Sequence, residues 1–256
     1  MTAVFALVAV GAACHFDANG LDQGAPDAAR ADAAAPAPDA ASPAPDAGPP
    51  FCDPSDPTLV ACYRFESPDD PVHDGSSYGN DGAEVHDVLL VSGPPGHGQA
   101  IAFDKESVAT IDDDASLNLR SAGSVELWLR VDSLPAAGGR FGIVDNNGQY
   151  GLFLGPDGKI RCAMGPTVPV ALAVVPGVWT HIACTYDGQA MRLYQDGVLG
   201  NMTSTMITMT DGNDDGMRLG ANSPDGDVLD GAIDELRIFS VARSAAQVCA
   251  AADCAP

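Results

Sequence analysis

Two segments in the C-terminal half of the chain alternate apolar and polar residues with a period of two. They are residues 178–199 (VWTHIACTYDGQAMRLYQDGVL) and 217–244 (MRLGANSPDGDVLDGAIDELRIFSVARS). This alternation is typical of β-strands that bury one face. Three dipeptides that suit the tight turn of a hairpin interrupt it: Asp187-Gly188, Asp196-Gly197 and Asp225-Gly226. We therefore predict consecutive antiparallel strands joined by short hairpins.

Shorter apolar runs with the same period precede these segments. We predict strands at LVACYRFE (59–66), IAF (101–103), VATI (108–111), 125–131, RFGIVDN (140–146), QYGLFLG (149–155) and KIRCAM (159–164). No amphipathic helical pattern of ten or more residues occurs, apart from a short turn at 244–251. The pattern predicts an all-β architecture of two sheets.

Seven of these strings follow one another in a characteristic order: YRFE, DGSSYGNDG, GQAIAFD, VATIDDDASLNL, SVELWLR, VWTHIACTYDGQAMRLYQDG and LDGAIDELRIFSVARS. In this order they resemble the laminin-G-like domains of the concanavalin-A-like lectin and glucanase group, over about residues 59–244. The resemblance implies an antiparallel two-sheet jelly-roll sandwich. The family includes carbohydrate-binding modules and adhesion domains, so its fold does not specify a ligand.

The N-terminal segment predicts export. Residues 3–13 form an apolar run that ends in Gly11-Ala12-Ala13 before Cys14 and is too short to span a bilayer. This resembles the h-region and lipobox of a bacterial lipoprotein signal, which implies cleavage before Cys14 and lipidation of its thiol. The alternative is a plain secretory signal in which Cys14 has no role. Either signal takes the chain out of the cytoplasm, and the lipoprotein would stay in the cell envelope, at the outer membrane or surface.

Residues 14–50 are dominated by Ala, Pro, Asp and Gly, with APAPDAASPAPDAGPP as the purest stretch. Such a composition cannot bury enough apolar surface to offset the entropy of ordering, and its prolines favour extended polyproline II. We therefore predict three parts: a signal peptide at 1–13, a lipid-anchored disordered tether at 14–50, and a jelly-roll domain at 51–256.

Net charge excludes some classes of partner. The chain has a formal charge of −23, of which the tether contributes six Asp against one Arg, so −18 remains for residues 51–256. A field of this sign repels nucleic acid and anionic lipid. We predict no nucleic-acid partner, and contact with a membrane only through the lipid anchor.

The cysteine count is consistent with export. Of seven cysteines, six remain once Cys14 is assigned to lipidation. Six half-cystines in an exported chain predict three disulfides, although several connectivities are open. A zinc site is the alternative, but no CxxC pair or paired histidines accompany these cysteines. Proximity in the sequence favours three pairs: Cys52 with Cys62, Cys162 with Cys184, and Cys249 with Cys254.

Catalytic motifs are absent from the sequence. Laminarinase-like glycosidases of this fold carry catalytic carboxylates on one strand in an ExDxxE pattern. Here the strand at 125–131 holds Glu126 alone, while Asp234 and Glu235 are adjacent and so lie on opposite faces of their strand. The five histidines show no metal or triad spacing, and no serine sits in GxSxG. We predict that the chain is not an enzyme.

Calcium is a candidate cofactor. In related sandwiches a structural cation often joins the first strand to the last, and the resemblance implies Glu66 and Asp234 as ligands. Asp74, in the DGSSYGN loop, is a third candidate. Calcium takes about six to eight hard oxygens, so backbone carbonyls of residues 75–80 would complete the shell. The alternative is that Asp74 caps a turn while Asp234 pairs with an arginine.

A second acidic string, DGNDDG (211–216), matches the opening of an EF-hand loop. Asn222 occupies the position where that loop requires glutamate, and a strand follows rather than a helix. We therefore interpret this string as a solvated hairpin loop.

Sugar-binding faces usually present exposed aromatic rings. Trp128 and Trp179 occupy strand positions that are commonly core, whereas Tyr78, Tyr150 and Tyr194 lie near loops and are the candidate ligand platforms. We predict a non-catalytic binding module that recognises a carbohydrate or a surface protein. A structural surface protein without a small ligand is the alternative, and a glycoside hydrolase is less favoured.

Overall fold

The strands of the computed structural model coincide with most of the alternating segments of the sequence. The structure describes residues 50–254 except 147, 166, 208, 210–214 and 224–225. The strands are β1 (Leu59–Tyr63), β2 (Gly82–His86), β3 (Leu89–Ser92), β4 (Gln99–Phe103), β5 (Val108–Ile111), β6 (Gly123–Val131), β7 (Phe141–Asn146), β8 (Tyr150–Leu154), β9 (Lys159–Met164), β10 (Thr167–Ala173), β11 (Thr180–Tyr186), β12 (Ala190–Gln195), β13 (Val198–Ser204), β14 (Met217–Leu219) and β15 (Gly231–Phe239). Helix α1 (Ala245–Ala251) follows, where the sequence predicts a short turn.

The strands form two antiparallel sheets. The first has the order β13-β12-β11-β6-β15-β4-β3, and β1 pairs with the part of β15 that β4 leaves free. The second has the order β10-β9-β8-β7-β14-β5-β2. One buried apolar cluster lies between the sheets and takes residues from both, among them Leu127 and Leu152. The predicted two-sheet sandwich is therefore confirmed.

Two of the three predicted hairpins are present. Asp187-Gly188 joins β11 to β12, and Asp196-Gly197 joins β12 to β13. Asp196 and Gly197 both have positive φ (49° and 76°), as the twist of a two-residue hairpin requires. These turns hold β11, β12 and β13 in register at one edge of the first sheet.

The third predicted hairpin is wrong. β14 pairs with β5 and β7 in the second sheet, whereas β15 pairs with β6, β4 and β1 in the first. The chain therefore passes from the second sheet to the first between β14 and β15, and Asp225 of the predicted turn lies outside the described residues. Period-two alternation shows that each strand buries one face, but it does not show which sheet the strand joins.

Three disulfides join the pairs that proximity favours. Cys162 in β9 is bonded to Cys184 in β11, so this bridge connects the second sheet to the first through the core. Cys52 is bonded to Cys62 in β1, and Cys249 is bonded to Cys254 after α1. The first segment of the domain is thereby fastened to β1, and the last segment to α1, which contains Cys249.

Removing the Cys162–Cys184 bridge tests how far the two sheets depend on it. We expect Cys162→Ala with Cys184→Ala to lower the free energy of unfolding by about 3 kcal/mol, because the bridge closes a loop of about 23 residues in the unfolded chain. Guanidinium denaturation measures the change. The matched control is Cys249→Ala with Cys254→Ala, whose shorter loop predicts about 2 kcal/mol. A larger loss in the control than in the first variant would contradict the account.

Candidate functional site

A cleft of about 600 Å³ lies on the outer face of the second sheet, across β7, β8 and β9. In β8, Gly151 and Phe153 alternate with Leu152 and Leu154, which face the core. Ala163 of β9 lies opposite Gly151 in the ladder. Gly151 has no side chain, and a Cβ there would collide with the Phe153 ring. The ring therefore lies over Gly151 on the floor of the cleft.

Phe153 supplies an aromatic side chain to this cleft. The guanidinium carbon of Arg140 lies 4.8 Å from the centre of the Phe153 ring, which is a cation–π contact. Arg140 is held there because its Nε donates to Oδ2 of Asp227 (3.0 Å) and its Nη2 donates to Oδ1 of Asn222 (2.5 Å). Ring and guanidinium form one wall.

Asp145 and Ser223 form a buried polar group that adjoins this wall, since Ser223 follows Asn222, the partner of Arg140. The Ser223 amide donates to Oδ2 of Asp145 (2.8 Å), and both residues are buried. Burial raises the pKa of the Asp145 carboxyl. The Ser223 hydroxyl is buried and has no hydrogen-bond partner among the described residues. A buried unsatisfied hydroxyl is costly, so its position in a cleft points to a ligand that completes its hydrogen bonds.

A second arginine of the cleft, Arg161, lies opposite Phe153 in the ladder between β8 and β9 and is also paired. Arg161 donates to Oδ1 and Oδ2 of Asp157 at 2.9 and 2.8 Å. Its guanidinium lies over Gly155, where a Cβ would collide with it. Since Arg140 and Arg161 each have an aspartate partner, the cleft offers no uncompensated positive charge and suits a neutral ligand better than an anionic one.

Sequence reasoning missed this cleft. The one usable signal was Asp145, a charged residue within the otherwise apolar strand RFGIVDN. Asn222 and Ser223 gave no signal, because they reach β7 only through the crossing between the sheets. Gly142 makes that approach possible, since a Cβ there would collide with the backbone of Ala221.

The three tyrosines predicted to stack on a ligand occupy different places. Tyr150 is 2% exposed and faces the core, where its hydroxyl donates to Sδ of Met217 (3.9 Å). Tyr194 is 4% exposed and packs beside Val248 of α1. Neither ring is open to solvent, and Tyr194 does not line the cleft. Tyr150 is among the residues that line the cleft. Tyr78 is 44% exposed, but it does not line the cleft.

Asp74 is occupied by hydrogen bonds. Its Oδ1 accepts from the amides of Cys62 (2.8 Å) and Ser76 (2.9 Å), and its Oδ2 accepts from Oγ of Ser76 (2.7 Å) and the amide of Asn80 (2.8 Å). A carboxylate has about four acceptor sites, and here all of them are used. Asp74 thus fastens the loop after β1 to β1 itself, which is the turn-cap alternative rather than the role of a metal ligand.

Glu66 and Asp234 meet at the turn between β3 and β4. The Gly93 amide donates to the Gly98 carbonyl (2.9 Å), which brings these two glycines together. A Cβ at Gly93 would collide with Oδ2 of Asp234, and a Cβ at Gly98 would collide with Oε1 of Glu66. The two carboxylates predicted as calcium ligands therefore lie at the same turn.

The Asp234 carboxylate is buried and only half satisfied. Its Oδ1 accepts from the Glu235 amide (2.7 Å), while its Oδ2 has no hydrogen-bond partner in the described part of the chain. Burial, reinforced by the negative charges of Glu235 and Glu66, raises the pKa of Asp234 to about 8, and Arg64 only partly opposes this. A buried unsatisfied carboxylate oxygen beside a second carboxylate fits a hard divalent cation.

A second cleft, of about 500 Å³, lies between residues 50–59 and α1. Beneath it, Oε1 of Glu126 pairs with Nη2 of Arg237 (2.7 Å) and of Arg243 (3.5 Å). Burial nevertheless raises the pKa of Glu126, and it lowers the pKa of Arg237. The carboxylate of strand 125–131 is therefore part of a buried ion-pair network.

Some predictions concern residues that the structure does not describe. The signal peptide, Cys14, the tether up to residue 49 and positions 211–214 of the acidic string all lie outside the described ranges. Within those ranges, no helix is long and apolar enough to cross a membrane.

A protein-family model matches more than half of the chain. The Laminin_G_3 family model, described as the concanavalin A-like lectin/glucanases superfamily, matches residues 103–249. A search of curated proteins finds no match.

Solved structures share the fold. The chain is similar to domain 4 of AbnA, a GH43 extracellular arabinanase from Geobacillus stearothermophilus in complex with arabinotriose (24% identity, TM-score 0.60, 76% of this chain and 98% of that chain). It is also similar to the binding domain of Paraclostridial Mosquitocidal Protein 1 (18% identity, TM-score 0.63, 76% of this chain and 52% of that chain). A third similar structure is the receptor binding domain of a botulinum neurotoxin C/D mosaic serotype (12% identity, TM-score 0.63, 77% of this chain and 51% of that chain). The chain spans about half of each toxin chain that it matches.

The raised pKa of Asp234 predicts a fall in stability with pH. Without metal, the folded chain keeps this proton up to about pH 8, whereas the ordinary value is 3.8, so stability is lost as pH rises between the two. We expect Asp234→Asn, measured in chelator at pH 8, to be more stable than the wild type by on the order of 2 kcal/mol. Denaturation at pH 5 and pH 8 checks this. A variant less stable than the wild type at pH 8 would contradict it.

Proposed function

Because this chain belongs to the concanavalin A-like lectin/glucanases superfamily, we propose that it is a non-catalytic binding module for a neutral glycan. The ligand binds in the cleft of the second sheet, against the Arg140–Phe153 wall and the adjoining Asp145–Ser223 group. The observation that carries the proposal is the buried Ser223 hydroxyl, which lacks a partner among the described residues and lies beside a buried carboxylate. Sugars supply the hydroxyl groups that such a pair binds.

The carboxylate content of the cleft supports binding rather than hydrolysis. Among the described residues that line it, Asp145 is the single carboxylate. Glycosidases of the usual type need a pair of carboxyl groups, about 5–10 Å apart on the two sides of the scissile bond. The arabinotriose complex of the similar arabinanase domain also supports a glycan ligand.

Calcium is proposed as a structural cofactor at the turn between β3 and β4. Asp234 and Glu66 would hold the ion through carboxylate oxygens, and Asp74 would not take part. The bound ion would supply positive charge that neutralises both carboxylates and joins the first strand region to β15.

Export and lipid anchoring are also proposed. All six cysteines of residues 51–256 are paired in disulfides, so Cys14 is left over from the seven in the sequence. A leftover cysteine at the end of an apolar N-terminal run supports lipidation and display of the domain on a tether at the cell envelope, possible partners being a surface glycan or protein.

Glycan binding is tested with the purified chain and a panel of neutral oligosaccharides that includes arabinotriose. We expect saturable binding by calorimetry, and at least a tenfold weaker affinity for Ser223→Ala, which removes the unsatisfied hydroxyl. Phe153→Ala should weaken binding similarly, because it removes one wall. Tyr78→Ala is the matched control, since its ring is exposed but lies outside the cleft.

Two results would contradict this assignment. Affinity lost in Tyr78→Ala but kept in Ser223→Ala would place the ligand on the loop at residues 75–80. No binding to any glycan would overturn the glycan proposal and favour a protein partner.

Calcium binding is tested by thermal unfolding in calcium and in chelator. We expect calcium to raise the Tm of the wild type, and Asp234→Asn or Glu66→Gln to abolish that rise, because each variant removes one anionic ligand. Asp113→Asn is the control. It lies in the acidic run 112–114 and not at this turn, so it should keep the calcium-induced rise in Tm. An equal rise in Asp234→Asn and the wild type would rule out this site.

A further inference from the structure

The loop between β1 and β2 gathers one histidine and two carboxylates at its surface. His73, Asp70 and Asp81 each bring one ligand atom into a group whose members all lie within 4.8 Å of one another. No other such group of three histidine, cysteine or carboxylate side chains occurs in the part of the chain that the structure describes. The three side chains are half or more exposed, so water and ions reach them.

Both carboxylates approach the same nitrogen of His73. Nδ1 lies 2.9 Å from Oδ1 of Asp81 and 3.6 Å from Oδ2 of Asp70. One ring nitrogen carries at most one proton, and that proton makes one short hydrogen bond. Two carboxylate oxygens are thus grouped around one ring nitrogen, and a cation bound among the three atoms could bond to all of them.

Two other histidines of the chain show the contrasting arrangement. His86 contacts Asp87 through Nδ1 (3.0 Å) and Glu84 through Nε2 (3.5 Å). His97 contacts Glu235 through Nδ1 (2.9 Å) and Asp253 through Nε2 (2.6 Å).

In both of these cases each ring nitrogen faces its own carboxylate. A protonated imidazole satisfies this arrangement fully, because it donates from both nitrogens. The His73 group differs because one of its nitrogens faces two carboxylates, and one proton on that nitrogen makes a short hydrogen bond to only one of them.

The spacing at His73 matches the first shell of a small divalent metal. Zinc binds imidazole nitrogen and carboxylate oxygen at about 2.0–2.2 Å, which places neighbouring ligand atoms about 3.0–3.5 Å apart. The observed separations of 2.9 and 3.6 Å lie close to this range. Imidazole is a ligand for zinc-like cations, whereas calcium and magnesium take oxygen ligands.

We infer that His73, Asp70 and Asp81 form a binding site for a divalent transition cation of the zinc class. Three protein ligands leave open positions for water, as in a solvent-exposed site. Oδ1 of Asp81 also accepts from the Asp74 amide (2.7 Å), so the site connects to the loop that Asp74 fastens to β1. This site is separate from the carboxylates of Glu66 and Asp234 and does not depend on the glycan proposal.

The test is calorimetric titration of Zn²⁺ into the purified, disulfide-intact chain with Cys14→Ser and His15→Ala as background. These two changes remove the free thiol and the imidazole beside it, which would otherwise bind zinc. We expect one site, weakened at least tenfold by His73→Ala and by Asp81→Asn. His86→Ala is the matched control, because it removes another solvent-exposed imidazole flanked by two carboxylates. It should bind zinc with the same affinity as the background variant.

Each outcome decides the proposal. Loss in His73→Ala with retention in His86→Ala supports it. No zinc binding, unchanged binding in His73→Ala, or equal weakening in His86→Ala would overturn it. Circular dichroism of each variant shows that the fold is kept, and Asp70→Asn gives a second variant that does not alter the turn around Asp74.

Discussion

The pairing of β15 on both of its edges is the constraint on which the rest of the structure depends. β6 runs along one edge, while β4 and β1 divide the other, so all nine residues of this strand are buried. The register of β15 against β6 shifts between Asp234 and Arg237, where the other edge of β15 changes partner from β4 to β1. Glu235 takes a positive φ of 47° at this point. The shift brings the buried Asp234 carboxylate to the turn at Gly93 and directs Glu235 to His97.

Much of this fold could be predicted from the sequence, because its signals are local. The hairpins at Asp187-Gly188 and Asp196-Gly197 need only residues that tolerate positive φ, and the disulfides join cysteines that are near neighbours among the six. The exchange of sheets between β14 and β15 could not be predicted, since alternation is the same in either sheet. β2 and β3 were also missed, because their residues are mostly exposed or half-buried and show no clear apolar face.

Some residues of the candidate sites could also be predicted from the sequence, and others could not. Glu66 and Asp234 were found because the family resemblance marks the ends of the first and last strands, and the structure brings both to one turn. Asp74 was a candidate because it lies in the DGSSYGN loop, but its four hydrogen bonds give it the role of a cap. The Asp145–Ser223 group depends on contact between residues 78 positions apart, which no local pattern reveals. Tyrosines near loops were a poor guide, because packing rather than position decides whether a ring is exposed.

The central claim is that the outer face of the second sheet binds a neutral glycan through Asp145 and Ser223. The most direct measurement is an NMR titration of the isotopically labelled chain with arabinotriose and other neutral oligosaccharides, followed at the backbone amides. The account predicts that saturable shift changes concentrate at Gly151, Phe153 and Ser223, which line the cleft. Changes confined to the loop around Tyr78 or to the second cleft around His97, or no saturable change with any sugar, would contradict it.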